Sequence, residues 1–294
     1  MRITTNDELM TAPPATHFIK SWSGIVDPKD ASGVTKNSVW AQLSQNEPHE
    51  PQFRLFDRLT GRQLFMDVGA NCGQSIISFK SVNPDAQIKS FEPTSFSFAI
   101  AERVAKIFSD VTVFKFGLSD RNVLMPIFTP VIDGLLVTPL TALDPSAFEP
   151  GGTMHKFLTE DIAKGAEVSL FEQEIELRRG DDLALAPDVI KIDVEGAELQ
   201  VLGGLAETIS RHRPLIMAEK SDATGIARFL ANFDYDSYRY ETAGSDRRPT
   251  LKHMTVVAGM NTNLLPVNVF YLNREKIEFY RAEFDLEVMD GSSH

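Results

Sequence analysis

A single cysteine, Cys72, is all the thiol that 294 residues carry. That excludes an internal disulfide and every metal site built on clustered cysteines. Long apolar runs are missing too. No stretch approaches the ~20 residues that a membrane-spanning helix needs, and the opening MRITTNDELMTAPP lacks the apolar block of a signal peptide. The expected location is therefore cytoplasmic. Positive charge is scarce: Lys and Arg number 29 against 41 Asp and Glu, a formal net charge of −12. A surface this acidic repels phosphate backbones, so neither nucleic acid nor an anionic membrane is an expected partner. Repeats and low-complexity tracts are absent. What remains, 43 % hydrophobic and 24 % charged, suits a globular protein with enough chain for a sizeable core.

Residues 1–60 are weakly patterned around Trp22 and Trp40 and read as an N-terminal extension of short helices and loops. Residues 61–294 read as one domain. LFMDV (64–68) predicts a strand, QSIISFKSV (74–82) a helix, IKSFEP (88–93) a strand and SFAIAERVAKIF (97–108) a helix. VTVFKFGLS (111–119), VIKIDV (189–194), PLIMAE (214–219) and NVFYL (268–272) are further strands. Leu199, Leu202, Leu205 and Ile209 share one helical face, Ile226, Phe229, Leu230 and Phe233 mark another helix, and REKIEFYRAEF (274–284) a terminal one. Strands alternating with amphipathic helices predict a mostly parallel α/β sheet covered on both faces. Residues 121–175 break the alternation with five prolines and four glycines, and read as an irregular insertion serving as substrate wall or lid. EQEIELRRGDD (172–182) closes it with strand-like alternation.

Ligands of such sheets bind at the carboxyl ends of strands, and two motifs fall there. In DVGANCG (67–73), Gly69-Ala70-Asn71-Cys72-Gly73 follows the first strand and opens a helix. The glycine spacing is not G-x-G-x-x-G. Asp67 would repel a pyrophosphate but suits a ligand bearing an amine or sulfonium, which favours S-adenosylmethionine over NAD. Glu92 ends the second strand, where an acid accepts hydrogen bonds from ribose hydroxyls. Its bland alternative is a cap for the next helix, and Asn71 is as readily a local backbone partner.

The second motif, KIDVEGAELQVLGG (191–204), carries Asp193, Glu195 and Glu198 at a strand-to-helix junction. Such carboxylates can accept a substrate proton or bind a hard cation such as magnesium. Acids in a first helical turn are also favoured by the helix dipole alone, which is the simpler account of Glu198.

DVGANCGQS (67–75), FEP (91–93), GLSD (117–120), GDDL (180–183), KIDVEGAELQVLGG (191–204) and RPLIMAE (213–219) occur in an order that resembles FkbM-type S-adenosylmethionine-dependent methyltransferases. The resemblance covers about residues 64–220. It implies a Rossmann-like class I methyltransferase fold: a seven-stranded, mostly parallel sheet ending in an antiparallel hairpin. It also implies O-methylation of a sugar, glycolipid or polyketide-type hydroxyl. Carried over, Asp67, Gly69, Ala70, Asn71 and Gly73 line the methionine end of the cofactor, Glu92 meets its ribose, and Ser119 and Asp120 approach its adenine.

An aliphatic hydroxyl needs a base as it attacks the methyl group. Asp193 is the expected base, with Glu195 orienting the acceptor or sharing a metal, and His155 in the insertion is the rival. The other histidines show no partner pattern. A non-catalytic cofactor-binding protein and a NAD-dependent oxidoreductase are the alternatives. Residues 121–199 hold 15 acids and 6 bases, so most of the negative charge sits where the acceptor is expected. A neutral or amine-bearing acceptor follows.

Overall fold

A computed structural model describes residues 1–5, 7–8, 25–26, 39–59, 61–152, 154–156, 158, 167–243, 248–256 and 266–284. Trp22 lies outside them. In chain order the elements are β1 (Ile3–Thr4), β2 (Ile25–Val26), α1 (Val39–Gln45), β3 (Leu64–Val68), α2 (Gln74–Val82), β4 (Gln87–Phe91), α3 (Ser95–Ala105) and β5 (Val111–Phe114). There follow β6 (Gly117–Ser119), β7 (Val123–Ile132), β8 (Leu135–Val137), β9 (Val168–Arg179), β10 (Val189–Ile192), α4 (Glu198–Gly204), α5 (Ala206–His212) and β11 (Leu215–Glu219). The chain closes with α6 (Ala223–Ala231), β12 (Tyr235–Ala243), β13 (Arg248–His253), β14 (Asn268–Asn273) and α7 (Ile277–Phe284).

Among the described residues the larger sheet has eight strands in the order β13-β12-β14-β11-β10-β3-β4-β5. From β11 to β5 the neighbours are parallel; β14, β12 and β13 are added antiparallel. This corrects the expected seven-stranded sheet. β12 pairs antiparallel with β13, which extends the edge by one strand. Side chains alternate across the sheet: Phe65 enters one core with Phe53, Phe56 and Phe79, whereas Met66 and Val68 enter the other with Ile190, Leu202 and Leu205. Both faces are covered, as the hydrophobic runs require.

The predicted helix through Leu199 and Ile209 is two helices joined at Leu205. Gly204 marks the break. A Cβ there would lie 1.8 Å from the Ser119 carbonyl oxygen, so only glycine lets β6 approach.

Two stretches of the expected irregular insertion are regular: Val123–Val137 and the part of 121–175 that follows Glu167. β7, β8 and β9 pair antiparallel, with β1, β2 and β6 joining them in a second, six-stranded sheet. The prolines misled because of their parity. Phe128 donates its N–H to Ala142, on the side away from β9, and Pro126 and Pro130 share that orientation. Their missing N–H groups therefore cost the β7/β9 ladder nothing.

The segment before β3 is also more than an appendage. Phe53, Leu55 and Phe56 lie in a 3₁₀ turn, Pro51–Arg58, and are wholly buried. Phe56 packs against Phe53, Phe79 and Phe270, and Phe65 stacks on Phe79 with ring centres 4.1 Å apart. Phe56→Ala is expected to cost about 3–5 kcal/mol in a urea titration; a loss below 1 kcal/mol would mean that this segment is dispensable to the core.

Candidate cofactor and acceptor site

The chain runs outward from β3 to β4 and β5, then returns to β10 on the other side of β3. Strand order thus reverses between β3 and β10, the place where open α/β sheets bind ligands. A cavity of about 430 Å³ opens at the carboxyl ends of these strands.

The glycine turn forms one wall. Gly69 has φ +88°, and a Cβ on it would stand 1.8 Å from the Asp193 carbonyl oxygen. The loop after β10 thus lies directly against the turn after β3. The Gly69 and Ala70 N–H groups both donate to the Phe91 carbonyl, at 3.0 and 3.1 Å. Asn71 donates its N–H to Glu92 Oε2 at 2.9 Å, and its Oδ1 accepts from Thr138 Oγ1 at 2.8 Å and Ser97 Oγ at 3.3 Å. Glu92 Oε1 accepts from the N–H and hydroxyl of Thr94. Glu92 therefore ties two loops together, and burial raises its pKa despite those bonds. Cys72, in the same turn, is fully buried; burial and then the Glu92 charge push its thiol up to about 12.

Gly69, Ala70, Asn71, Glu92, Ser119, Asp193 and Glu195 line the cavity together. Asp67, Gly73, Asp120 and His155 do not. β3 alternation turns the Asp67 side chain to the face of Phe65, where Oδ2 accepts from Ser90 Oγ at 3.0 Å and Oδ1 has no hydrogen-bond partner among the described residues. Gly73 begins α2 and packs beneath Val104 of α3. Asp120 accepts from Ser119 Oγ at 3.4 Å and lies 3.8 Å from Arg121. His155 donates from Nδ1 to the Phe148 carbonyl at 2.9 Å, beside the core of the second sheet.

The opposite wall is acidic. Asp193 Oδ2 accepts from Lys191 Nζ at 2.8 Å. Burial works against both charges, but each outweighs it for the other: Asp193 is held below the ordinary carboxylate range, and Lys191, with Asp67 and Glu50 also near, above the ordinary lysine range. Carboxylate oxygens of Asp193, Glu195 and Glu219 lie within 4.8 Å of one another. Glu195 has φ +52°, and burial followed by the charges of Asp193, Glu219 and Glu198 raises it to about 9. Burial and Asp193 raise Glu219 to about 7. Glu198 accepts from the Gly196 and Val194 N–H groups at 3.1 and 3.4 Å and from the Ser221 hydroxyl, so its work is to shape the loop.

The raised Glu195 has a pH signature. The folded chain keeps that proton up to about pH 9, whereas an unfolded Glu loses it near pH ~4.3. Folded stability should therefore fall as pH rises between those values, and level off above. Glu195→Gln is expected to flatten that fall in melting curves taken at pH 5 to 9; an unchanged slope would contradict the burial of this carboxyl.

His49, Glu50, Glu219 and Asn268 are among the cavity residues not anticipated as site residues. His49 and Glu50 arrive from the core-embedded segment before β3, and Asn268 from the antiparallel β14. Glu219 alone carried a signal, since it ends a predicted strand.

The family described as the methyltransferase FkbM domain matches residues 67–239, from the glycine turn into β12. The chain belongs to this family. The match contains both walls of the FkbM site but not His49, Glu50 or Asn268. Among solved structures, the chain is similar to the FkbM methyltransferase of Methylobacillus flagellatus KT, at 17% identity and TM-score 0.46. That likeness covers 79% of this chain and 50% of the other, so the FkbM chain spans half the length of that relative. It is also similar to a SAM-dependent O-methyltransferase of Thermotoga maritima, at 7% identity, 77% and 66% coverage and TM-score 0.33. Aeropyrum pernix fibrillarin, solved with natively bound S-adenosyl-L-methionine, matches at 10% identity, 74% and 68% coverage and TM-score 0.33. No curated protein matches the sequence.

Proposed function

We propose that this FkbM-family chain is an S-adenosylmethionine-dependent O-methyltransferase acting on a hydroxyl of a sugar, glycolipid or polyketide-type acceptor. The observation that carries the reading is the contact of Gly69 with the Asp193 carbonyl, which sets the cofactor turn and the carboxylates in one cavity. The residues fit the cofactor. Gln74 lines the cavity with Oε1 buried and unpartnered among the described residues, an acceptor suited to an ammonium donor.

Bound S-adenosylmethionine supplies a methyl group already activated by its sulfonium. The chain's task is to align the acceptor oxygen and take its proton. Asp193 does the second. Its pKa is low for a base, yet a hydroxyl oxygen that is bonding to carbon becomes strongly acidic, so an ionised carboxylate in reach suffices. Lys191 keeps Asp193 ionised and in place. Glu195, protonated near neutrality, donates to the acceptor and orients it. With Glu195 ionised instead, Asp193, Glu195 and Glu219 would hold a magnesium ion, which would polarise the acceptor hydroxyl.

Calorimetry with S-adenosylhomocysteine and NADH, followed by a labelled-methyl assay, tests the reading. S-adenosylhomocysteine is expected to bind and NADH not to; the reverse overturns it. Binding with no transfer to any hydroxyl acceptor would support a non-catalytic role. Neutral or amine-bearing acceptors should outperform phosphorylated ones, given the acidic wall. Transfer that survives exhaustive chelation removes the metal from the scheme.

A further inference from the structure

The part of the cavity outside the FkbM match has its own chemistry. His49 Nδ1 lies 2.6 Å from Ser78 Oγ, which also accepts the His49 backbone N–H at 3.0 Å. Ser78 sits on α2, and its oxygen also accepts from Gln42 Nε2 at 2.9 Å; with both lone pairs taken by N–H donors, its one hydrogen goes to His49 Nδ1, which makes Nε2 an N–H donor. The imidazole also leans on Phe53, with ring centres 5.3 Å apart. With Nδ1 occupied and the ring packed, Nε2 is the nitrogen left to serve a ligand. It faces Glu50 Oε2 at 3.9 Å. Glu50 is fixed in turn: Asn268, 2% exposed, donates from Nδ2 to Glu50 Oε2 at 3.0 Å. Burial and the Lys191 charge lower His49 to about 3, so the ring is neutral at physiological pH.

A separation of 3.9 Å is too long for a hydrogen bond, and one oxygen about 2.8 Å from each atom closes it. A hydroxyl both donates and accepts, so it can serve a neutral imidazole and a carboxylate together. An ether or carbonyl oxygen can only accept. The reacting hydroxyl belongs to Asp193, which leaves this gap to a second one.

We propose that His49 and Glu50, braced by Ser78 and Asn268, bind a second hydroxyl of the acceptor, so that this chain methylates polyols such as neutral glycosides. The inference rests on the methyltransferase reading and names the substrate class within it. His49 is a positioning residue here, not the base.

The test compares the wild type, His49→Phe and His49→Gln. Each is titrated with S-adenosylhomocysteine, then assayed for labelled-methyl transfer to methyl glycosides of neutral hexoses and to their single-deoxy analogues. The wild type is expected to methylate a glycoside and to lose about 10- to 100-fold in kcat/KM on one deoxy analogue. His49→Phe should raise KM for the intact glycoside by a similar factor, with kcat and S-adenosylhomocysteine affinity little changed. It should no longer distinguish that glycoside from the deoxy analogue, and His49→Gln should restore part of the distinction. Equal losses on both substrates, or no loss, overturn the proposal. So does a wild type that binds S-adenosylhomocysteine but methylates no glycoside, which leaves the methyltransferase reading standing. Failure to bind S-adenosylhomocysteine at all overturns that reading instead, and this proposal with it.

Discussion

Asp193→Asn is expected to lower kcat for methyl transfer by about 10²- to 10⁴-fold, the range of a removed general base. The substitution keeps the shape and removes the charge that accepts the proton. Affinity for S-adenosylhomocysteine should change far less, because the glycine turn proposed to hold the cofactor touches Asp193 through its backbone carbonyl, not its side chain. Lys191 would lose its 2.8 Å partner but keep the charges of Asp67 and Glu50 nearby. The fold should therefore persist, with a melting temperature somewhat reduced. A pH–rate profile separates the roles: in the wild type the acid limb follows ionisation of Asp193 and lies below the ordinary carboxylate range. Near-normal turnover in the Asn variant would remove Asp193 as the base.

The second large effect belongs to Gly69→Ala. Two penalties combine there. A left-handed backbone costs a residue with a Cβ about 1–2 kcal/mol. The added carbon also meets the Asp193 carbonyl oxygen, a backbone atom that no rotamer change can move. The loop after β10 must shift, and cofactor turn and acidic wall separate. A destabilisation of about 2–4 kcal/mol and at least a ~10-fold loss of S-adenosylhomocysteine affinity, equal to about 1.4 kcal/mol, are expected. Gly61→Ala is the control, since Gly61 has φ +80° and nothing within 4 Å of its Cβ position. Calorimetry and thermal melting that find the two variants alike would mean that the Gly69 contact is inconsequential.

Local signals made the parallel part of the sheet legible. LFMDV and QSIISFKSV fold over the residues their patterns indicate, Leu64–Val68 and Gln74–Val82, because apolar run, turn and helical spacing agree there. The glycine turn and the KIDVEG junction were likewise readable from residue type at strand ends. The second sheet was not, since prolines in β7 break a strand pattern in sequence while sparing its ladder in space. His49, Glu50 and Asn268 were hidden for another reason: they meet through contacts spanning 218 residues in the Asn268–Glu50 bond. Asp67 shows the converse error. Its place in the motif is right, but strand alternation turns it away from the cavity and towards Ser90.

Burial of Cys72 in the glycine turn after β3 gives the molecule a built-in clock. A thiol held at about 12 and sealed from solvent reacts only when the turn opens, since the thiolate is the nucleophile. Its labelling rate therefore counts openings of this one loop, and the lone cysteine leaves no second signal to subtract. A ligand that binds only the closed turn slows the clock by the factor 1 + [L]/Kd. Cofactor affinity is thus written into the reactivity of one sulfur atom, measurable before any acceptor is known.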